Sequence, residues 1–434
     1  MQFYSLFGEA GGAARMVCAP GRANVIGEHT DYQEGYVTPF ALEERCYLVY
    51  RPSLETSVVR AYAADLESWA TVDLAEMAAK RRLESAWGSR AEDFEEQWCR
   101  FVAGPMEWLR TEALEGNEGY RGCEVLVTST VPLGGGVSSS SALSVASAAA
   151  ARDVYRDLAW KKGKSMLMAA CEAEWHYSGV RGGIMDQFAS LYGKKGEALV
   201  LDCRSRKVKE VVKFPEDEVR FLIINTNVKH SLADSPYTKR RESCERVALE
   251  AARQFPDLKI THLRDLSDLG KEKGLDILKQ LNVNPEDLQR ATHGVLENCR
   301  VLEAIEAAKA KDWNKFGKYM DEAHFSLANL YEVSCPELDA ACLAARESPF
   351  CLGARLMGGG FGGCAIALCT DTTEVENHVA PRYKDLTNGK EATIFQATPG
   401  PGAQLLNQSE WLSVFDFPFF HSNPGLDSDS EPTL

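Results

Sequence analysis

The alternation of apolar and polar positions divides the chain into short strand-like runs and longer helical stretches. A β-branched run at 125–131 predicts a strand, and the alanine-rich run at 142–151 behind it predicts a helix. From 16 to 51, short apolar runs alternate with turn signals, the pattern of strands around a functional loop. The span 74–113 is charged and helical in pattern, with Trp87, Trp98 and Trp108 along it. A further helix is expected over 164–177. Near 200–215 the character changes: 219–226 is apolar enough for a buried strand. Residues 239–333 then keep Leu288, Val295, Leu296, Cys299, Leu302 and Ile305 at helical spacing. Two apolar runs, 353–357 and 364–369, flank Gly358-Gly359-Gly360-Phe361-Gly362-Gly363 and predict two strands joined by a glycine-rich turn. Residues 1–15 read as a weakly ordered start, and the Ser-, Pro- and acid-rich stretch from His421 as a disordered tail. Strands and helices in both halves give an α+β architecture over an all-α one. The domains are expected at 1–205 and 206–420, with the acidic tail at 421–434.

Composition narrows the function classes. A chain of 434 residues is long enough for two domains and an ample core. Its net charge of −15 argues against a general nucleic-acid surface, although a site for an anionic substrate needs only local positive charge. No run of eighteen apolar residues appears and the N-terminus lacks a signal-peptide pattern, so neither a membrane partner nor export is expected. The cysteines number 13, an odd count, and are scattered without a Cys-x-x-Cys spacing, which fits reduced thiols in the cytoplasm better than disulfides or zinc.

The candidate chemistry lies in three places. Gly134-Gly135-Gly136-Val137-Ser138-Ser139-Ser140-Ser141 stands between the strand at 125–131 and the helix at 142–151, so it opens onto a helix N-terminus. Unpaired N–H groups there carry partial positive charge and suit phosphate oxygens. No Gly-Lys-Ser/Thr follows, so this is not a Walker A loop; read alone, an exposed flexible loop is the alternative. The segment from Arg22 through Glu28, His29 and Asp31 to Tyr32 crowds polar groups onto a turn, enough to hold several hydroxyls of a sugar or polyol, or to be merely a solvated turn. Asp186 sits among Ile184, Met185, Phe188 and Leu191, where a carboxylate must be paired, hydrogen-bonded or functional. Glu174, on the preceding helix, is a candidate magnesium ligand; Glu172 beside it is the comparison, and either alone reads as a solvated glutamate.

Taken together, the Pro-x-Gly-rich-Ser-Ser-Ser loop, the Arg22-x-Asn24-x-x-Gly27-Glu28-His29-x-Asp31-Tyr32 loop and Gly358-Gly359-Gly360-Phe361-Gly362-Gly363 resemble the three signatures of the GHMP small-molecule kinases. The Gly-Glu-His-Thr-Asp-Tyr form is similar to that of the galactokinase branch. So are Gly183-Ile184-Met185-Asp186-Gln187-Phe188, Asn227-Val228-Lys229-His230-Ser231-Leu232 and Tyr331-Glu332-Val333-Ser334-Cys335-Pro336-Glu337-Leu338-Asp339. The likeness runs from about Val17 to about Gln396.

The resemblance implies a two-domain fold: an N-terminal mixed-sheet domain, a C-terminal ferredoxin-like α/β sandwich, and an active site in the cleft between. It also implies phosphorylation of galactose at the anomeric C1 hydroxyl by ATP with Mg2+, in a monomer with no nucleic-acid partner. By the same resemblance Asp186 is the catalytic carboxylate and Arg22 its partner. Glu28, His29, Asp31, Gly183 and Tyr237 match galactose-binding positions. Gly134, Gly135, Gly136, Ser138, Ser139 and Ser140 match the phosphate cradle, with Trp98 the candidate for packing near adenine. Ser140 and Glu174 match the metal-contacting region. Met357 departs from the pattern, standing where a threonine is usual, and Val137 replaces a common leucine. Two alternatives within the same fold are an N-acetylgalactosamine kinase and a non-catalytic galactose sensor. The presence of Ser140, Ser141 and Ala142 favours an active kinase over the sensor.

Overall fold

The computed structural model describes residues 2–53, 56–83, 94, 96–116, 119–179, 181–228, 237–407 and 410. Trp87, the Lys229-His230-Ser231-Leu232 end of one motif and the tail from 421 lie outside the described residues.

Three sheets organise the chain. The largest orders its strands Gln404–Leu406, Arg15–Asn24, Pro39–Ser53, Gly122–Ser129, Val58–Ala63 and Ser68–Asp73. Val58–Ala63 pairs in parallel with Gly122–Ser129 while the other neighbours run antiparallel, so the sheet is mixed as expected. A second sheet joins Tyr36–Val37, Glu197–Asp202 and Lys207–Lys213, and its last two strands form a hairpin across position 205. The third orders Cys351–Met357, Cys364–Cys369, Arg220–Asn225 and Thr393–Ala397, antiparallel throughout. In chain order these four run inner, outer, inner, outer, with helices between the first and second and between the third and fourth, which is the split βαβ arrangement of ferredoxin-like sandwiches. The α+β reading of the sequence is borne out.

Small residues bring the helices together behind the first sheet. In Ser139–Val154 the side chains of Ala142, Ala146, Ala148 and Ala150 are fully buried, and the helix packs on Arg15–Asn24, Arg100–Trp108 and Met166–Ser178. Met166–Ser178 starts where Ser165 accepts the Met168 N–H and stops at Gly179, which takes the left-handed conformation. In the second half Pro285–Lys309 begins with Asn284 capping the Asp287 N–H and buries Val295, Val301, Ala304 and Ile305. No helix among the described residues is long and apolar enough to cross a membrane.

The N-terminus differs from expectation. Gln2–Phe7 is a helix, and Phe3 is buried against Met16, Val49 and Leu126. A six-residue helix is too short to display a repeating apolar stripe, so tertiary packing rather than local pattern decides its state.

Candidate active site

Arg22 reaches the site because the strand carrying it is irregular. Pairing with Pro39–Ser53 shifts register between Pro20 and Arg22, a bulge that re-aims the side chain, and the Arg22 N–H donates to Val137 O at 3.0 Å. Asp186 lies in the first turn of Met185–Tyr192. The two side chains meet in a fork: Arg22 Nε to Asp186 Oδ1 at 2.7 Å and Nη2 to Oδ2 at 2.8 Å. Such bidentate pairs fix geometry as well as charge. Arg22 also donates to Gly136 O at 2.8 Å, and Ser138 Oγ donates to Asp186 Oδ2. Burial works against the Arg22 charge, yet Asp186, Glu28 and Asp31 outweigh it and raise the guanidinium pKa.

The glycine–serine loop opens the helix Ser139–Val154 as the sequence predicted. Ser138, at its N-cap, holds φ +62°, an uncommon conformation for a residue with a side chain and one that concentrates at functional sites. The carbonyls of Gly135 and Gly136 are occupied by Cys364 Sγ at 2.6 Å and by Arg22. Glu174 faces this helix start. Its Oε1 accepts from Ser140 Oγ at 3.1 Å, and its Oε2 from Ser141 Oγ at 3.2 Å and Gln187 Nε2 at 2.5 Å. Burial and the charge of Asp186 push the Glu174 carboxyl up. Glu172, the comparison residue, instead pairs with Lys164 at 3.7 Å.

The loop after Arg22 is tied to the C-terminal half. Gly27 N–H donates to Glu297 Oε1 at 3.0 Å, and Thr30 Oγ donates to Gly27 O at 2.8 Å. His29 adopts φ +63° and is buried, with Nδ1 2.7 Å from the Tyr32 hydroxyl and its ring against Tyr237 and Tyr331. Burial, reinforced by His293, Arg240 and Arg355, lowers its pKa well below the usual value, so the imidazole is neutral. Asp31 is pushed up to about 7 by burial and by the charge of Asp186. Gly183 presses against the Asp31 carboxylate: a Cβ there would lie 1.8 Å from Oδ2. Only glycine fits.

These groups line two adjoining spaces. The inner one is walled by Glu28, His29, Asp31, Gly183 and Tyr237. The outer one is walled by Arg100, Phe101, Gly134, Gly136, Ser138, Ser139 and Gly360. Arg22, Ser140, Glu174, Asp186 and Gly359 border both, so the ion pair stands at their junction. A polar inner pocket thus meets a helix N-terminus across one guanidinium–carboxylate pair. That arrangement suits transfer of an anionic group onto a hydroxyl-bearing ligand.

Two sequence candidates lie elsewhere. Trp98 donates its indole N–H to Ser68 Oγ at 3.1 Å and borders neither space; Phe101, one turn later, supplies the ring facing the outer one. Gly135 stands behind the wall, holding Cys364. Residues the sequence reading did not single out are Arg100, Phe101, Trp175, Arg355 and the roles of Ser141 and Gln187. The signal for Arg355 was present: a charge within the otherwise apolar run Cys351–Met357. Met357 itself is buried, and its thioether accepts the Asn24 N–H at 3.3 Å.

Family models agree with this geometry. Residues 104–194 match the GHMP kinases N terminal domain and 304–380 the GHMP kinases C terminal domain, while residues 1–52 match the galactokinase galactose-binding signature. Mevalonate kinase from Methanococcus jannaschii shares the fold alone, with a TM-score of 0.55 at 16 % identity. The fold is therefore that of a GHMP kinase. Human galactokinase is 36 % identical over 395 residues, covering 90 % of this chain and 92 % of its own. The Fusobacterium nucleatum galactokinase is 33 % identical over 408 residues, covering 92 % and 97 %. The crystal structure of Lactococcus lactis galactokinase complexed with galactose has a TM-score of 0.80 at 30 % identity, covering 93 % of this chain and 98 % of that one. The chain belongs to the galactokinase family.

Proposed function

We propose that this enzyme transfers the terminal phosphoryl group of ATP to the anomeric C1 hydroxyl of galactose, giving galactose 1-phosphate and ADP. The observation that carries the reading is the Arg22–Asp186 fork at the junction of the two spaces. Galactose occupies the inner space, its hydroxyls held by Glu28, His29, Asp31, Tyr237 and the backbone at Gly183. ATP occupies the outer space, its phosphates against Gly134, Gly136 and Ser138–Ser140 at the helix N-terminus and its adenine beside Phe101.

Phosphoryl transfer asks mainly for positioning and electrostatic stabilisation. Asp186 orients the C1 hydroxyl and takes its proton as the oxygen–phosphorus bond forms. Arg22 holds that carboxylate in place through the fork, and its charge stabilises the transferred group. Ser138 releases Asp186 to turn toward the phosphate, so one serine serves both partners. Neutral His29 exchanges hydrogen bonds with the sugar without adding a second positive charge.

The oxygen donors at the helix start fit a hard divalent cation: Glu174 and Ser140 would hold Mg2+, completed by ATP phosphates. One carboxylate with substrate phosphates is the usual protein share of a magnesium site. When bound, the ion neutralises phosphate charge. Thirteen free thiols among the described residues support a reducing cytoplasm.

The direct test incubates purified enzyme with magnesium-ATP and a panel of free hexoses including N-acetylgalactosamine, and measures sugar 1-phosphate. Galactose 1-phosphate is the expected main product. Preference for another sugar, or ATP hydrolysis without sugar phosphate, would refute the proposal.

A further inference from the structure

We infer that Arg355 is the positioning residue of the sugar pocket, fixing the Glu28 carboxylate so that one of its oxygens is presented to the sugar; this rests on the reading that Glu28 binds a sugar hydroxyl. Arg355 is fully buried in the strand Cys351–Met357 of the C-terminal sheet, and Glu28, on the N-terminal loop, is 2 % exposed. The guanidinium spreads its donors over four acceptors: Val25 O at 2.6 Å, Leu356 O at 2.9 Å, Asn24 O, and Glu28 Oε1 at 3.2 Å. Glu28 Oε1 also accepts the Gly358 N–H at 2.8 Å. That oxygen is saturated by the strand and the glycine turn of the C-terminal half. The other oxygen, Oε2, accepts no hydrogen bond from the described residues, and Glu28 borders the inner space.

A buried ion pair is no stronger a stabiliser than well-packed apolar residues, whereas one left half-paired is costly. Burying this pair beside the ligand pocket therefore makes sense as orientation. The fork matters more than the charge. A planar guanidinium can hold two carbonyls of the Asn24–Val25 turn and the carboxylate together, and the point-like ammonium of lysine cannot. Arg355 thereby sets the distance between the Arg22–Tyr32 loop and the Gly358–Gly363 turn, both of which wall the sugar pocket.

The test compares R355K, E28Q and E28Q/R355K in the full-length enzyme by steady-state kinetics, with thermal melting to confirm folding. R355K is expected to raise the galactose KM about tenfold or more, with kcat and the ATP KM within about twofold of the parent. The double variant is expected to be no worse than E28Q within about twofold, because both act through one carboxylate. If R355K does not fold, R355Q is measured against the same expectations. A parental galactose KM in R355K while E28Q raises it would overturn the inference, and so would penalties that multiply in the double variant. A parental galactose KM in E28Q would instead overturn the reading of Glu28 as a sugar ligand, and Arg355 would fall with it.

Discussion

Gly183→Ala probes how closely the sugar pocket is fitted. An added Cβ would lie 1.8 Å from Asp31 Oδ2, 2.0 Å from its Cγ and 2.7 Å from its Oδ1, where ordinary contact begins at 3.4 Å. The carboxylate must retreat by about 1.6 Å, and misplacing a positioning group by roughly 1 Å costs on the order of 100-fold. That corresponds to about 2.7 kcal/mol of lost transition-state stabilisation. The retreat also breaks the Tyr32 N–H bond to Asp31 Oδ1, 2.9 Å in the parent. Initial rates with magnesium-ATP and varied galactose should show kcat/KM for the sugar about 100-fold down, with the ATP KM nearly unchanged. The same substitution placed on Asp31→Ala should add little, since the group it strikes is gone. A parental kcat/KM in Gly183→Ala, or an equal extra loss on the Asp31→Ala background, would refute the reasoning.

Other expectations concern single groups. Because Asp31 titrates at about 7 when folded, against 3.8 ordinarily, the folded protein holds an extra proton between these values. Its contribution to stability is full below about pH 4 and is lost as pH rises through about 7, so the melting temperature of the ligand-free enzyme should fall over that window more than that of Asp31→Asn. Ionised Asp31 is the better hydroxyl acceptor, so the galactose KM should drop from about pH 6 to about pH 8; an equal drop in Asp31→Asn would remove Asp31 as its source. Glu174→Gln should raise the Mg2+ concentration for half-maximal rate by about tenfold without changing the galactose KM, and an unchanged Mg2+ requirement would take Glu174 out of the metal site. Phe101→Ala should raise the ATP KM by about tenfold and exceed Trp98→Ala; the reverse order would give adenine to Trp98.

The parts of the site that were legible in the sequence are those where local chemistry and local structure coincide. Glycines and serines ahead of an alanine-rich helix announced the turn that opens its N-terminus, and Asp186 stood out as a carboxylate among apolar neighbours. Other parts were hidden because they depend on long-range placement. Arg355 lies 327 positions from the carboxylate it holds, and Glu297 reaches back 270 positions to Gly27. No periodicity links such pairs. Trp98 and Phe101 share one short stretch, and packing against Ser68 turns one ring away while the other faces the groove. The helix Gln2–Phe7 likewise exists through Phe3 burial, a tertiary cause that a six-residue pattern cannot display.

The central claim is that the carboxylate paired with Arg22 handles the proton of the sugar hydroxyl, and Asp186→Asn tests it most directly. The amide keeps the side chain's shape while removing its charge and basicity. Calorimetric titration with galactose should show binding within about tenfold of the parent, while formation of galactose 1-phosphate from magnesium-ATP falls by about 1000-fold or more. Turnover within about tenfold of the parent, in a variant that binds galactose normally, would contradict the account.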